Sequence, residues 1–144
     1  MDRVGRGPVA IDTACFIYLI EEHTTYLEHV EPLFAAVASG RVEAITSALT
    51  LLEVLVVTLR SGDGALAERY ERILTRSRGL KLVDLDRTQL RAAAQLRAVH
   101  GSLRTPDALQ LAAALSMRCQ SFVTNDRRLP SLVGLDTISL DELA

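Results

Sequence analysis

The stretch 43-EAITSALTLLEVLVVTLR-60 contains both halves of the fold in one run. Residues 43–46 read as a short strand, Ser47 is placed to cap a helix, and the apolar residues that follow repeat with helical periodicity. From Ser47 to Leu59 the only charged residue is Glu53. At about 100° per residue its helical neighbours are Leu49, Thr50, Val56 and Val57, of which only Thr50 is polar. Taking a lone carboxylate out of water costs several kcal/mol unless something compensates it. Glu53 therefore calls for a partner or a task.

Working outward, strand and helix alternate. Val9 to Ile11 reads as a buried strand, and Thr13 to about Glu22 as a helix that starts at once. The segment 26-YLEHVEPLFAAVAS-39 is helical, with Gly40 behind it as a C-cap. Then 65-ALAERYERILTRSR-78 is an amphipathic helix closed by Gly79, and 80-LKLVDL-85 is a strand. Asp86 and Gln89 form a capping-box pattern for the helix 87-RTQLRAAAQLRAVH-100. Thr105 is expected at the N-cap of the next helix, Pro106 at its first position, and Arg118 at its end. Strands at 121–124 and 136–139 and a last turn at 139–143 complete the pattern. Such alternation specifies an α/β fold with a mainly parallel sheet, here one domain over residues 1–144.

Bulk properties narrow the function. The apolar share is 49% but only 4% is aromatic, so Leu, Val, Ile and Ala build the core. An apolar share this high also points to a subunit or partner surface. A net charge of −2 attracts no nucleic acid globally, so any such binding needs a local basic patch. Lys81 is the only lysine beside many arginines, which suit bidentate phosphate contacts. Cys15 and Cys119 lack metal-ligand spacing and read as buried, reduced thiols. The N-terminal residues lack a signal-peptide core, and the longest apolar run is short of the ~20 residues a bilayer requires. The expected setting is the cytoplasm, with no membrane segment.

In open α/β sheets, ligands sit beyond the carboxyl ends of the strands. Asp12 follows the first strand, Asp126 lies just past the fourth, Glu53 sits two turns into the helix after the second, and Asp107 opens the helix before the fourth. Singly, Asp12 can cap a helix, Asp107 can serve the helix dipole and Asp126 can cap a turn. Jointly, four carboxylates within ~5–6 Å would repel by on the order of 3 kcal/mol per pair at an effective dielectric of about 20. An all-oxygen set without Cys or His selects a hard cation, Mg2+ or Mn2+, which suits attack of water on a phosphodiester.

Together 9-VAIDTACFI-17, Glu53 in its apolar helix, 105-TPDALQLAAAL-115 and 122-FVTNDRRL-129 resemble the PIN-domain family, and within it the VapC-type ribonuclease toxins. The resemblance implies a five-stranded sheet of order 3-2-1-4-5. It makes Asp12, Glu53, Asp107 and Asp126 a catalytic metal site for Mg2+ or Mn2+, with Thr13 and Asn125 as supporting polar residues. It further implies an RNA substrate, cleavage leaving 5′-phosphate and 3′-hydroxyl ends, a cognate antitoxin and a homodimer. Phe16 to Ile20 and Tyr26 to Ala38 match the region where such toxins meet antitoxin or a second copy. Asp84 and Asp86, after an edge strand, are assigned to capping. Arg104, Arg127 and Arg128 lie near the acids in sequence and are candidate phosphate contacts. His23, His29 and His100 fit no common metal spacing. Two rival readings are a catalytically silent PIN-like module that binds RNA or antitoxin, and a receiver-type phosphoacceptor. The receiver would want an acidic pair in the first loop and a lysine after the last strand; neither is present.

Overall fold

The computed structural model describes residues 3–143. Five strands form one parallel sheet: β1 (Val9–Ile11), β2 (Ala44–Ser47), β3 (Leu80–Val83), β4 (Ser121–Thr124) and β5 (Asp136–Ser139), in the order β3-β2-β1-β4-β5. The connecting helices are α1 (Thr13–Ile20), α2 (Leu27–Ala38), α3 (Leu49–Arg60), α4 (Gly64–Arg76), α5 (Arg87–Val99) and α6 (Thr105–Ser116), and a 3-10 turn, Leu140–Glu142, follows β5. The strand order reverses at β1, so the sheet's carboxyl edge there is the place for a ligand.

Every residue of β1, β2 and β4 is buried, because helices cover both faces of the sheet. One layer packs Phe16, Leu33, Tyr70 and Leu74 against Val9, Ile11 and Val123; the other packs α6 against Ala10, Ile45 and Phe122. Helix α6 is buried from Ala108 to Ala114, and its alanines let it lie close to the strands.

Local signals set several boundaries. Ser47 is the last residue of β2 and Ala48 takes the cap of α3, with the Ser47 hydroxyl accepting from the N–H of Leu49 at 3.1 Å, whereas Asp86 caps α5, accepting from the N–H of Gln89 at 2.9 Å. The Asp86 capping box has only that arm, because the Gln89 side-chain amide donates to Ser116 Oγ at 2.6 Å. Thr105 is already helical rather than the cap; Arg104 takes that position, and the Thr105 hydroxyl accepts from Arg97 Nη1 at 2.8 Å. Strand β3 stops at Val83 and α6 at Ser116, two residues short of the apolar patterns that suggested them.

The two segments matched to a partner region divide between core and surface. Phe16 and Ile20 are core residues, and the outward face of α2 carries Glu28, Glu31 and Pro32 rather than large apolar groups. Among the described residues, exposed large apolar side chains are densest on α3, at Leu52, Val56, Val57 and Leu59, with others at Leu85, Leu90, Val99, Leu115 and Val133. Periodicity finds an apolar face but does not say whether the chain's own core or another surface covers it.

Candidate active site

Asp12 leaves β1 with its backbone still in the sheet, its N–H donating to the carbonyl of Val123 at 3.0 Å. Its side chain turns into the start of α1. Oδ1 accepts from Thr13 N at 2.8 Å and Oδ2 from the Thr124 hydroxyl at 2.7 Å. Asp12 is therefore a helix cap and a member of the site at once. Burial pushes its carboxyl above the ordinary aspartate range; the two hydrogen bonds oppose this, and the charges of Glu53 and Asp107 add to it.

Glu53 is half-buried, and its Oε1 accepts from the Thr13 hydroxyl at 2.7 Å. Behind that bond lies a buried polar network. Gln110 Nε2 donates to Thr13 Oγ1 at 3.2 Å and to Thr50 Oγ1 at 2.8 Å, while Thr46 donates to the Ile11 carbonyl at 2.8 Å. Thr50 lies 2.7 Å from Thr46 and 3.0 Å from Thr13. Each hydroxyl has one proton. With that of Thr46 on Ile11 and that of Thr13 on Glu53, the proton of Thr50 serves one of its two neighbours. The network thus ends on two acceptors, the Ile11 carbonyl and the Glu53 carboxylate.

Asp107, in the first turn of α6, completes the convergence. Asp12, Glu53, Asp107, Thr13 and Gln110 line one cavity of about 260 Å³. Asp107 also lines an adjoining cavity of about 220 Å³ with Asp126, Arg104 and Arg128. Asp126 is tied to the first cavity through Thr124, whose hydroxyl accepts from the N–H of Asp126 at 3.0 Å while donating to Asp12. The Asp126 carboxylate accepts from Arg128 N at 2.9 Å and from its Nε at 3.1 Å. The Arg128 guanidinium holds the Asp126 carboxyl below the ordinary range.

The four acids are thus spread over two adjoining cavities rather than drawn into one knot. Among the described residues, no three His, Cys, Asp or Glu side chains stand together as a ready-made cage for an ion. Like charges repel, and Asp12 and Asp126 are each engaged by donors of their own. The donor chemistry of the first cavity nonetheless fits a hard divalent cation: three carboxylates, no sulfur or imidazole, and an amide and a hydroxyl holding the wall behind them.

The other expected residues separate. Thr13 is in the site. Asn125 donates to the Tyr18 hydroxyl at 3.1 Å and lines neither cavity. Arg104 and Arg128 border Asp107 and Asp126, whereas Arg127 pairs with Asp141 beyond β5. Gln110, Thr46 and Thr124 were not singled out as site residues. Gln110 carried a signal, as the one polar side chain in 108-ALQLAAAL-115.

The model of the PIN-domain family matches residues 9–135. The chain belongs to the PIN-domain family. The match runs from β1 to just before β5 and includes all four acids. Solved structures share the fold of this PIN domain. DNA-bound VapBC from Salmonella typhimurium superposes with a TM-score of 0.72 at 20% identity, covering 92% of this chain and 97% of that one. VapBC2 from Rickettsia felis, bound to a promoter DNA fragment, gives 0.70 at 16% identity over 91% and 97%. VapC20 of Mycobacterium tuberculosis, described as a toxin that cleaves the sarcin–ricin loop, gives 0.69 at 16% identity over 83% and 91%. Comparison with curated protein sequences gives no match.

Proposed function

We propose that this PIN domain is a divalent-metal-dependent endoribonuclease, acting in the cytoplasm as the toxin of a toxin–antitoxin pair. The observation that carries the reading is the cavity in which Asp12, Glu53 and Asp107 meet at the sheet's switch point. Supporting it, the similar structures include toxin–antitoxin complexes and a toxin described as cleaving the sarcin–ricin loop.

Asp12, Glu53 and Asp107 would hold Mg2+ or Mn2+, with Asp126 reaching in from the adjoining cavity. A bound ion supplies Lewis-acid charge at the phosphodiester and makes water a competent nucleophile at neutral pH. The chain's own groups do the rest. Thr13, itself held by Gln110, fixes the Glu53 carboxylate, Thr124 and the Thr13 N–H fix Asp12, and Arg104 and Arg128, which line the cavity of Asp107 and Asp126, would meet the phosphates there. The partners in this reading are RNA, a cognate antitoxin and a second copy of the chain. Leu52, Val56 and Leu59, at i, i+4 and i+7 on α3, offer a protein an apolar row.

The test is RNA incubated with Mg2+ or Mn2+ and wild type, Asp12→Asn or Glu53→Gln. Each substitution is expected to lower cleavage at least about 100-fold while RNA binding persists. Cleavage at the wild-type rate in either variant rejects the assignment. Binding without cleavage by the wild type favours the silent module. Arg128→Ala should weaken binding and flatten its salt dependence.

A further inference from the structure

Rings are scarce in this chain, with no tryptophan, three tyrosines and three phenylalanines. Phe16, Phe122 and Tyr70 are fully buried, and Phe34 packs edge-on against Phe16. The remaining tyrosines and two of the three histidines gather at one place, where α1 turns into α2. Tyr18 lies 4.9 Å from His23 and 4.8 Å from Tyr26, His23 stacks on Tyr26 at 5.1 Å with 29° between ring planes, and His29 stands edge-on to Tyr26 at 6.0 Å. His23 is exposed, whereas Tyr18, Tyr26 and His29 are half-buried.

The group is held in place from two directions. His23 Nδ1 accepts from the backbone N–H of Thr25 at 3.1 Å and of Tyr26 at 3.2 Å, which pins the imidazole at the start of α2. Asn125, immediately before Asp126, donates to the Tyr18 hydroxyl. Tyr18 also follows Ile17 and lies one turn beyond Ala14, both of which line the cavity of Asp12 and Glu53. The rings therefore adjoin the acids through α1 and through the Asp126 loop.

We propose that Tyr18, His23 and Tyr26 form a platform on which an unpaired base of the RNA substrate stacks, next to the bond being cut. The inference rests on the nuclease reading and narrows its substrate to RNA with an exposed nucleotide beside the scissile phosphate. Rigid aromatic faces beside a phosphate-facing site suit single-stranded RNA, whose bases are free to stack, and not a duplex, whose bases are covered. The large exposed aliphatic side chains lie elsewhere, on α3 (Leu52, Val56, Val57, Leu59), on α5 (Leu90, Val99), on α6 (Leu115) and at Leu85 and Val133, and none is among these rings.

The test uses full-length Glu53→Gln protein in Mg2+ and a short single-stranded RNA carrying one 2-aminopurine, beside the same strand in a duplex. Tyr26→Leu in that background is expected to lower affinity for the single strand roughly 5- to 100-fold, to leave duplex affinity and the salt slope unchanged, and to abolish quenching of the 2-aminopurine. Tyr26→Phe should behave as the parent. His23→Asn keeps a side-chain oxygen for the two backbone N–H groups while removing the ring, and should lose affinity in the same sense if Tyr26→Leu proves unstable. Undiminished affinity and quenching in both ring-deleting variants overturn the platform, as does an equal loss for single strand and duplex. Wild-type cleavage of RNA, run in parallel, separates that failure from failure of the nuclease reading: cleavage with no effect of the rings rejects only the platform, and no RNA binding at all rejects both.

Discussion

At the residue scale, Asp12 and Glu53 show how a fold keeps carboxylates near one another. Asp12 has two donors, yet burial, Glu53 and Asp107 outweigh them and its carboxyl titrates high. An acid whose folded pKa is raised costs nothing where both states are protonated and its full penalty above the folded value. Asp12→Asn keeps an oxygen to cap α1. With divalent ions chelated, it should raise Tm by a few degrees at neutral pH, and the gain should vanish below the ordinary aspartate pKa of 3.8. Thermal scans at both pH values check this, and an unchanged or lowered neutral Tm contradicts it. Gln110 poses the opposite case. Gln110→Met fills a similar volume but leaves the buried hydroxyls of Thr13 and Thr50 short of a donor, so urea unfolding should report a loss of about 1–3 kcal/mol.

At the element scale, the strands were legible because they are short, centred on β-branched or other apolar residues and bounded by turn residues, while their ends were not. Leu85 extends the apolar pattern of β3 past the last strand residue and is partly exposed. Met117 and Arg118 likewise follow α6 outside its last turn. Hydrogen bonding ends an element, and side-chain polarity only correlates with it. Gly79 is clearer. It joins α4 to β3 at φ +81°, and a Cβ there would come within 2.8 Å of the Val37 carbonyl. Gly79→Ala combines a left-handed backbone with a clash against α2. It is expected to cost about 1–3 kcal/mol, seen as a lower urea midpoint with RNA cleavage retained under native conditions. A stability equal to wild type would mean that the α4–β3 turn rearranges freely.

Across the whole molecule, the two ends of the described chain meet. Arg3 contacts Asp136 at 2.8 Å and Glu142 at 2.6 Å. Glu142 is held below its ordinary range first by the backbone N–H of Ser139 and then by Arg3. A depressed acid contributes stability above its unfolded pKa and loses it as pH falls through the lower folded value. Glu142→Gln should therefore leave the pH-stability curve flatter on its acid side, and an unaltered acid limb in denaturant titrations would show that the contact is not maintained in solution. No helix among the described residues is long and apolar enough to cross a membrane, and much of the apolar share lies in the buried strands β1, β2 and β4 and on the outer row of α3. The sequence by itself determined the α/β class and, through its family motifs, the strand order, since these depend on local periodicity and on residue types at strand ends. Tertiary structure alone decided that Gln110 stands behind Glu53, that Asp126 shares its cavity with Asp107 and engages Arg128, that Arg127 turns away to Asp141, and that the rings of α1 and α2 meet beside Asn125. Those are contacts between residues distant in the chain, and a hydrogen bond or a stacked pair forms only where the packed helices fix both partners in place.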